Sequence, residues 1–359
     1  MGARIFRHAA VSRRLEAMSD AEVLGLPVEV AARSVWTTTG TVEVEGHPVF
    51  VKRVPVTAVE AERPYSTANH FRLPGYYHYG VGSAGFGAYR ELAGLSAASD
   101  LVLAGAAGAF PVLYHHRLLP GAPGPWTGPF TPEQYGRYWG GSPGVAAYVK
   151  AREDATRELW LFMEHFPHTA SDRLLADDDG VDRMVDQLCE AAAQLRAEGI
   201  VHFDAHLANV MTDGPDFYLA DFGLVGAHRF EVDAEEREFL GRHRYYDAGL
   251  LLAGLGMTVA FAAGAAGAPV RAEVDRICGL DGSSSRLDVI MGIVDNAASL
   301  AGVLGLGPPL VAALGRYREV NRYVHRFIGE MQARPAKDAV YRDEELLARL
   351  RQAGTPHLD

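Results

Sequence analysis

Three oxygen-bearing side chains, Asp204, Asn209 and Asp221, stand out in an otherwise apolar stretch of the chain. Residues 212–216 (TDGPD) separate two short apolar runs, a pattern that predicts a β-hairpin. The hairpin would bring Asn209, just before its first strand, close to Asp221, just after its second. Mg²⁺ prefers a few hard oxygen ligands from side chains together with nucleotide phosphates. We therefore predict that Asn209 and Asp221 bind magnesium, with Asp204 opposite them, where a hydroxyl would enter.

The same stretch carries two motifs at a defined spacing. Residues 202–209 read HFDAHLAN, and a DFG tripeptide begins twelve residues after Asn209. The pair resembles the H-x-D-x-x-x-x-N catalytic loop and the DFG motif of protein kinases and their relatives. The resemblance implies that Asp204 is the catalytic base that orients the acceptor hydroxyl, and that Asn209 and Asp221 are the metal ligands. It also implies that His202 packs beneath the catalytic loop.

An upstream lysine agrees with this resemblance. Lys52 ends the apolar run Val-Phe-Val-Lys and resembles the strand lysine that holds the α- and β-phosphates of ATP. In the family this lysine pairs with a glutamate on the following helix. We expect Glu91 to be that partner. Glu60 and Glu62 are alternatives, because the separation of Lys52 and Glu91 is long for the family.

Two further segments resemble kinase elements. Residues 161–167 (LFMEHFP) resemble the strand that ends in the hinge of the adenine pocket. This resemblance places Met163 at the back of the pocket and lets the backbone of Glu164, His165 and Phe166 bond adenine. Asp247 resembles the aspartate that begins a central helix and braces the catalytic loop.

The chain also departs from the family pattern. No G-x-G-x-x-G precedes Lys52, so a phosphate-covering turn is expected within residues 31–40, where Ser34 or the threonines at 37–39 could donate hydrogen bonds. A glycine-rich match occurs later, at residues 80–85, and leads into a helix. Helix N-termini bind phosphate, which suggests that residues 80–87 form a substitute lid over the nucleotide. A tight packing loop explains the same glycines.

The acceptor is the open question. The short segment after DFG, the lack of an A-P-E motif and His206, two residues after the base, point away from regulated protein kinases. Histidine at this position is common in aminoglycoside- and choline-kinase-like enzymes, whereas DFG and the hinge motif are typical of protein kinases. We therefore expect ATP and Mg²⁺ as cofactors and a Ser or Thr hydroxyl of a protein or peptide as acceptor. A small-molecule acceptor, or a pseudokinase that binds nucleotide or a partner without transfer, is the alternative.

The elements around these residues predict an α+β fold. Alternating apolar residues between 26 and 54, with a turn at Gly46-His47, predict strands, as do residues 110–118 and 158–166. Helical patterns cover the remaining elements, namely residues 11–22, 86–98, 131–138, a stretch from 144, 170–175, 181–198, 242–263 and several segments to 351. The order corresponds to a two-lobed kinase-like fold, with a β-rich N-terminal lobe over residues 1–164 and a helical lobe over residues 165–359.

Composition excludes several classes of protein. The 359 residues are 48% hydrophobic and 22% charged, which is typical of a folded chain, and the net charge of −11 disfavours binding to nucleic acids or anionic membranes. Two cysteines provide no disulfide framework. The apolar run at residues 248–268 is interpreted as a buried central helix rather than a membrane span. The basic N-terminus lacks the apolar run of a signal peptide, and we expect a cytoplasmic protein.

Overall fold

The computed structural model describes residues 2–34, 36–125, 130–176 and 179–359. They form two compact units. The first contains Met1–Phe166 and Asp221–Leu240, and the second contains Pro167–Ala220 and Gly241–Asp359. The predicted boundary after residue 164 lies close to the observed break, but the prediction placed Asp221–Leu240 in the helical part. This segment belongs to the first unit because its buried side chains pack there; Val225, for example, fills the space left by Gly94.

The first unit contains a five-stranded antiparallel sheet. Its strands are β1 (Glu29–Arg33), β2 (Thr38–Val44), β3 (His47–Val56), β4 (Leu113–Pro120) and β5 (Arg157–Glu164). Their order across the sheet is β1-β2-β3-β5-β4, so β3 is central and pairs with β2 and β5. Lys52 lies on β3 opposite Thr39 and Leu161. The lysine is therefore carried by a strand that is hydrogen-bonded on both sides.

The turn between β2 and β3 lies one residue earlier than predicted. Its central residues are Glu45 and Gly46, with φ angles of 52° and 71°. Positive φ at both central positions is what a two-residue type I′ hairpin requires. His47 already pairs with Val44 and so belongs to the strand.

The first unit also contains helices. They are α1 (Gly2–Ala17), α2 (Asp20–Leu24), α3 (Ala58–Ala61), α4 (Ala88–Leu103), α5 (Pro132–Tyr138) and α6 (Pro143–Glu153). The helix predicted over residues 11–22 is two helices, because Ser19 and Glu22 form a capping box that starts α2. The Gly-, Tyr-, Asn- and Pro-rich sequence of residues 64–87 predicts a long loop, and the structure places a 3₁₀ turn, Gly75–His78, within it. The Pro- and Gly-rich sequence of residues 120–129 predicts another loop, and its residues 126–129 lie outside the described residues.

The second unit is mainly helical. Its elements are β6 (His168–Thr169), α7 (Ala170–Ala176), α8 (Val181–Ala197), β7 (Ile200–Val201), β8 (Val210–Thr212) and β9 (Phe217–Leu219). The elements β10 (Gly226–Ala227) and α9 (Ala234–Gly241) begin in Asp221–Leu240, the segment of the first unit. The second unit continues with α10 (Tyr246–Ala265), α11 (Ala268–Cys278), α12 (Arg286–Asp295), α13 (Ala297–Leu304), α14 (Pro308–Arg316), α15 (Arg318–Ala333) and α16 (Asp343–Gln352). The predicted hairpin is present, with Val210 opposite Leu219 and Thr212 opposite Phe217. The helix predicted to start at residue 242 begins at Tyr246.

Helix α10 forms the centre of the second unit. Glycines let neighbouring groups approach it closely: a Cβ on Gly249 would collide with Leu346, and one on Gly254 with Leu207. Within the described residues, α10 is the single helix long and apolar enough to cross a membrane, and 67% of its apolar window is buried in the protein. The bent pair α12 and α13 passes the same test jointly.

Candidate active site

Lys52 is held between two carboxylates in the first unit. Its Nζ atom lies 2.6 Å from Glu91 Oε1 and 2.7 Å from Asp221 Oδ1. Glu91 projects from the first turn of α4, and Asp221 begins the DFG motif. The structure thus shows the predicted pairing with Glu91 and adds Asp221 to it. The Lys52 and Glu91 side chains are 8% and 6% exposed, whereas Asp221 is 43% exposed.

Burial and charge act in opposite directions on this cluster. Burial lowers the pKa of Lys52, but the negative charges of Asp221 and Glu91 outweigh it, so the pKa rises above the ordinary value and the ammonium stays charged. Burial raises the pKa of Glu91, with Lys52 opposing the rise and Asp221 adding to it. The Lys52 ammonium is thus a fixed cation that pairs with both Glu91 and Asp221.

The backbone around Asp221 has the geometry of a constrained site. Asp221 has a φ angle of 64°, in the left-handed region that costs energy for a residue with a side chain. The N–H of Gly223 donates to Asp221 Oδ1 over 3.2 Å. A Cβ on Gly223 would lie 3.2 Å from that oxygen and 3.9 Å from Lys52 Nζ, so glycine keeps the space beside both charged groups open. A half-exposed carboxylate beside a buried ammonium fits a magnesium-bound phosphate in its donor chemistry.

Glu60, the alternative partner of Lys52, has a different role. Its Oε2 accepts from the N–H and hydroxyl of Thr57, and its Oε1 accepts from Ala88 N over 2.8 Å. Glu60 therefore caps the N-termini of both α3 and α4. The T-x-x-E pattern of residues 57–60 is a sequence signal that could have indicated this role.

The glycine-rich loop at residues 80–87 packs against the DFG motif. Phe86 N donates to Gly223 O over 3.0 Å, and Gly85, at φ 91°, leaves only 3.1 Å between that oxygen and an added Cβ. Because Glu60 already occupies the N-terminus of α4, a phosphate there would meet a buried carboxylate. The lid remains a prediction, and the contacts observed are those of a packing loop.

In the second unit the residues of the predicted catalytic loop bond one another. The amide nitrogen of Asn209 donates to the backbone oxygen of Asp204 over 3.0 Å and to its Oδ2 over 2.9 Å. His206 Nε2 lies 3.5 Å from Asp204 Oδ1. Because the nitrogen of Asn209 is used as a donor, its carboxamide oxygen is the atom suited to a cation. Ala220 N, next to Asp221 in the chain, donates to Asn209 O at the open end of the hairpin.

Asp247 and His202 support this loop from beneath. The two carboxylate oxygens of Asp247 accept from His202 N over 2.7 Å and Phe203 N over 2.9 Å. His202 is fully buried; its Nδ1 accepts from Asp204 N and its Nε2 donates to Ala220 O. Phe203 is held at a φ angle of 64°. The predicted bracing contacts of Asp247 are thus present, and burial raises its pKa to about 7 although the two N–H groups oppose the rise.

The predicted adenine hinge lies at the end of β5. Met163 is buried between Phe50 and Leu113 of the neighbouring strands. The N–H of Glu164 donates to Val112 O over 2.9 Å, so it is already engaged within the first unit. His165 is part-buried and Phe166 is buried. Adenine binding by this stretch stays a prediction, with Glu164 N–H the least suited of its groups.

A contact of the Glu164 side chain was not foreseen from the sequence. Glu164 is buried and forms an ion pair with Arg4 over 2.6 Å and a longer one with Arg7 over 3.5 Å. The arginines lie on α1, so the N-terminal helix is fastened to the end of β5. The basic N-terminus was the only signal, and it carries no information about a partner 160 residues away.

Ser34 organises its own turn. Its hydroxyl donates to Thr37 O over 3.2 Å and accepts from Trp36 N over 3.1 Å. The hydroxyl hydrogen is thus engaged inside the turn, and phosphate binding by Ser34 stays a prediction. Val35, within the predicted phosphate turn, lies outside the described residues.

Comparisons with known proteins add little to this geometry. No protein-family model and no curated protein matches the chain. A solved structure described as WaaP in complex with acyl carrier protein shares 12% identity, covers 82% of this chain and 92% of that chain, and has a TM-score of 0.34. Similarity of that extent carries no argument about function, so the conclusions below depend on the residues and their contacts.

Proposed function

We propose that this protein is a phosphotransferase that transfers the γ-phosphate of ATP, with Mg²⁺, to a hydroxyl group. The observation that supports it most is the buried Lys52 between Glu91 and the half-exposed Asp221. Surface lysines lie in water with mobile side chains, whereas this ammonium is fixed and permanently charged. A fixed cation beside an exposed carboxylate suits a nucleotide triphosphate that carries a metal ion.

Each residue has a defined role in the proposed reaction. Lys52 positions the α- and β-phosphates, and Asp221 and Asn209 hold the metal, which when bound neutralises charge on the phosphate oxygens. Asp204 orients the acceptor and takes its proton as the O–H bond breaks, a new O–P bond forms and ADP leaves. Such catalysis consists chiefly of positioning and electrostatic stabilisation.

The acceptor class follows from weaker signals. The DFG motif and hinge pattern favour a Ser or Thr hydroxyl of a protein or peptide. His206, with Nε2 3.5 Å from Asp204 Oδ1, favours a small-molecule hydroxyl, because histidine at this position resembles the aminoglycoside- and choline-kinase-like pattern. We retain both acceptors, and the experiment below includes a panel for each.

The test has a binding step and a transfer step. ATP affinity is measured by calorimetry with and without Mg²⁺ for the wild type, Lys52→Met and the control Lys150→Met, an exposed lysine paired with Asp154. Transfer of labelled γ-phosphate is then measured against protein, peptide and aminoglycoside panels. We expect Lys52→Met to weaken binding at least about tenfold, or 1.4 kcal/mol, and Lys150→Met to have no effect.

Two results would contradict the proposal. A wild-type protein that binds no ATP with Mg²⁺ would exclude nucleotide chemistry at this cluster. Binding without transfer to either panel or to water would favour a pseudokinase.

A further inference from the structure

The DFG segment, which we define as residues Asp221–Leu240, is held by residues of the first unit that the proposed chemistry does not use. Its beginning contacts the glycine-rich loop through the Phe86 N–H to Gly223 O bond. Next to it, His78 donates from Nδ1 to Leu224 O over 2.8 Å. The His78 ring stacks on Phe86, with centroids 3.8 Å apart and planes 5° apart. The carbonyl oxygens of the consecutive residues Gly223 and Leu224 thus accept hydrogen bonds from Phe86 and His78, whose rings stack on each other.

The later part of the segment is held by a buried ion pair. Arg90 donates from both terminal nitrogens to the two oxygens of Glu236, with Nη2 to Oε2 at 3.1 Å. The Arg90 and Glu236 side chains are 1% and 8% exposed. Arg90 also donates from Nε to Thr67 O over 2.6 Å, and its guanidinium lies 5.0 Å from the Phe86 ring centroid. A bidentate arginine fixes both the position and the orientation of its carboxylate.

Glu236 remains charged in this setting. Burial raises the pKa of its carboxyl group, but His78, whose Nε2 lies 3.7 Å from Glu236 Oε1, and the hydrogen-bonded, charged Arg90 outweigh burial and lower the pKa to about 2. The ion pair is therefore complete at every pH at which the enzyme would be assayed. Nearer the surface, Glu231 accepts from Ser66 and Thr67, which adds a second attachment.

Helix α4 connects this ion pair with the nucleotide lysine. Arg90 and Glu91 are consecutive residues of α4, and they bind Glu236 and Lys52 respectively. One helix therefore holds both the lysine and the DFG segment whose first residue, Asp221, contacts that lysine.

We propose that Arg90 and Glu236, with His78, are positioning residues that hold the DFG segment so that Asp221 faces Lys52 without any covalent modification. This inference rests on the proposed function. In many kinases, phosphorylation orders the corresponding segment by creating a new ion pair with arginine. Here a glutamate of the chain itself supplies the negative charge, so the segment is ordered permanently.

The experiment compares matched glutamate-to-glutamine changes. Glu236→Gln removes the ionic partner of Arg90, and Arg90→Lys keeps the charge but removes the bidentate geometry. Glu158→Gln is the control, because Glu158 is also buried and pairs with Arg53 over 2.6 Å in the same unit, on strand β5 rather than in the DFG segment. Hydrogen exchange at Phe86 N–H and in residues 221–225 is measured without nucleotide, and ATP affinity is measured with and without Mg²⁺.

We expect both test variants to exchange at least about tenfold faster at Phe86 and to lose about tenfold in Mg²⁺-dependent ATP affinity. Affinity without Mg²⁺, which depends on Lys52, should change less than about twofold, and Glu158→Gln should alter neither readout. Glu236→Asp should restore part of both effects. This selective loss of the Mg²⁺-dependent part is not expected from a general loss of stability.

Unchanged exchange and unchanged Mg²⁺-dependent affinity in Glu236→Gln and Arg90→Lys would overturn the inference. Equal losses in Glu158→Gln would also overturn it, by showing a general stability effect. If the wild type binds no ATP, the proposed function fails, and the exchange rates at Phe86 still decide whether the ion pair orders the DFG segment. If Glu236→Gln does not fold, Arg90→Lys and Glu236→Asp provide the same two readouts.

Discussion

At the scale of single residues, the two acidic residues of the motifs occupy different environments. Asp221 contacts a buried ammonium, whereas Asp204 accepts from the amide of Asn209 and lies 3.5 Å from Nε2 of His206. A carboxylate beside a fixed cation contributes to binding a metal–phosphate group. In the proposed reaction, Asp204 accepts the proton of the acceptor hydroxyl. The two acids should therefore affect different steps.

The first prediction separates these steps. Asp204→Asn should reduce turnover about 10²–10⁴-fold, the usual range for loss of a general base, while ATP affinity with Mg²⁺ stays within about twofold. Asp221→Asn should weaken ATP binding with Mg²⁺ itself. Calorimetry and initial rates on the same preparations measure both effects. Equal effects of the two substitutions on binding would contradict the assigned roles.

The second prediction concerns the pH dependence of Asp247. Its pKa is about 7 in the folded protein against an ordinary 3.8, so between these values the folded protein keeps a proton that the unfolded chain has released. The contribution of Asp247 to the free energy of unfolding therefore falls as pH rises from about 4 to 7, by at most about 1.4 kcal/mol per pH unit.

Asp247→Asn removes this titration. The difference in unfolding free energy, wild type minus Asp247→Asn, should decrease between pH 4 and 7 and level off above that range. Urea titrations at several pH values measure it. A difference that does not change with pH would show that the N–H groups of His202 and Phe203 keep the carboxylate ionised despite its burial.

At the scale of elements, helix α4 is the part on which the first unit depends most. It carries Arg90 and Glu91, packs against β10 and the sheet, and is preceded by Gly87, an N-cap residue without a side chain to cap it. The cap comes instead from Glu60, on α3. The position of Glu91 next to Lys52 therefore depends on a carboxylate 31 residues earlier in the chain.

The third prediction tests that dependence. Glu60→Ala should lower the free energy of unfolding by about 2–4 kcal/mol, because it removes the side-chain bonds to Thr57 at the start of α3 and to Ala88 at the start of α4, at about 1–2 kcal/mol each. Glu22→Ala, which removes the exposed capping box of α2, is the matched control and should cost about 1 kcal/mol or less. Chemical denaturation measures both. Equal costs would show that Glu60 stabilises only α3.

At the scale of the whole molecule, buried neutral histidines shape the response to acid. His325, on α15, is buried and donates from Nε2 to Ala253 O of α10 over 3.0 Å. Burial lowers its pKa to about 4, with the carbonyl opposing the shift and the charge of Arg286 adding to it. Protonating this histidine places an unpaired charge in the helical core. The second unit should therefore be sensitive to mild acid.

The fourth prediction follows from the sign of that shift. Between pH 6.5 and 4 the unfolded chain binds a proton at His325 that the folded protein does not, so stability is complete above 6.5 and is lost as pH falls. The slope is at most about 1.4 kcal/mol per pH unit. In His325→Gln this slope should be absent. The difference in unfolding free energy, wild type minus His325→Gln, should therefore grow as pH rises from 4 to 6.5, opposite to the trend for Asp247→Asn. Denaturation at matched pH values measures both, and parallel curves for wild type and His325→Gln would contradict the prediction.

Several features of this protein could be read from its sequence because they depend on short-range chemistry. The hairpin around residues 212–216 follows from alternating apolar residues and a turn sequence, and β8 and β9 pair as expected. The capping boxes and the spacing of Asp204, Asn209 and Asp221 are likewise local patterns. The pairing of Lys52 with Glu91 was expected only through a family resemblance, and the alternatives Glu60 and Glu62 could not be excluded from spacing.

Tertiary structure decided the contacts that join distant parts of the chain. It assigned Glu60 to helix capping, fastened Glu164 to Arg4, packed Asp221–Leu240 with the first unit, and paired Arg90 with Glu236. The T-x-x-E pattern of residues 57–60 is a local signal for one of these contacts, but the ion pairs of Glu164 with Arg4 and of Arg90 with Glu236 leave no periodic or local trace, because each joins ordinary charged residues far apart in sequence. What selects them is the need to neutralise a charge once packing has removed it from water, and that need exists only after the chain has folded.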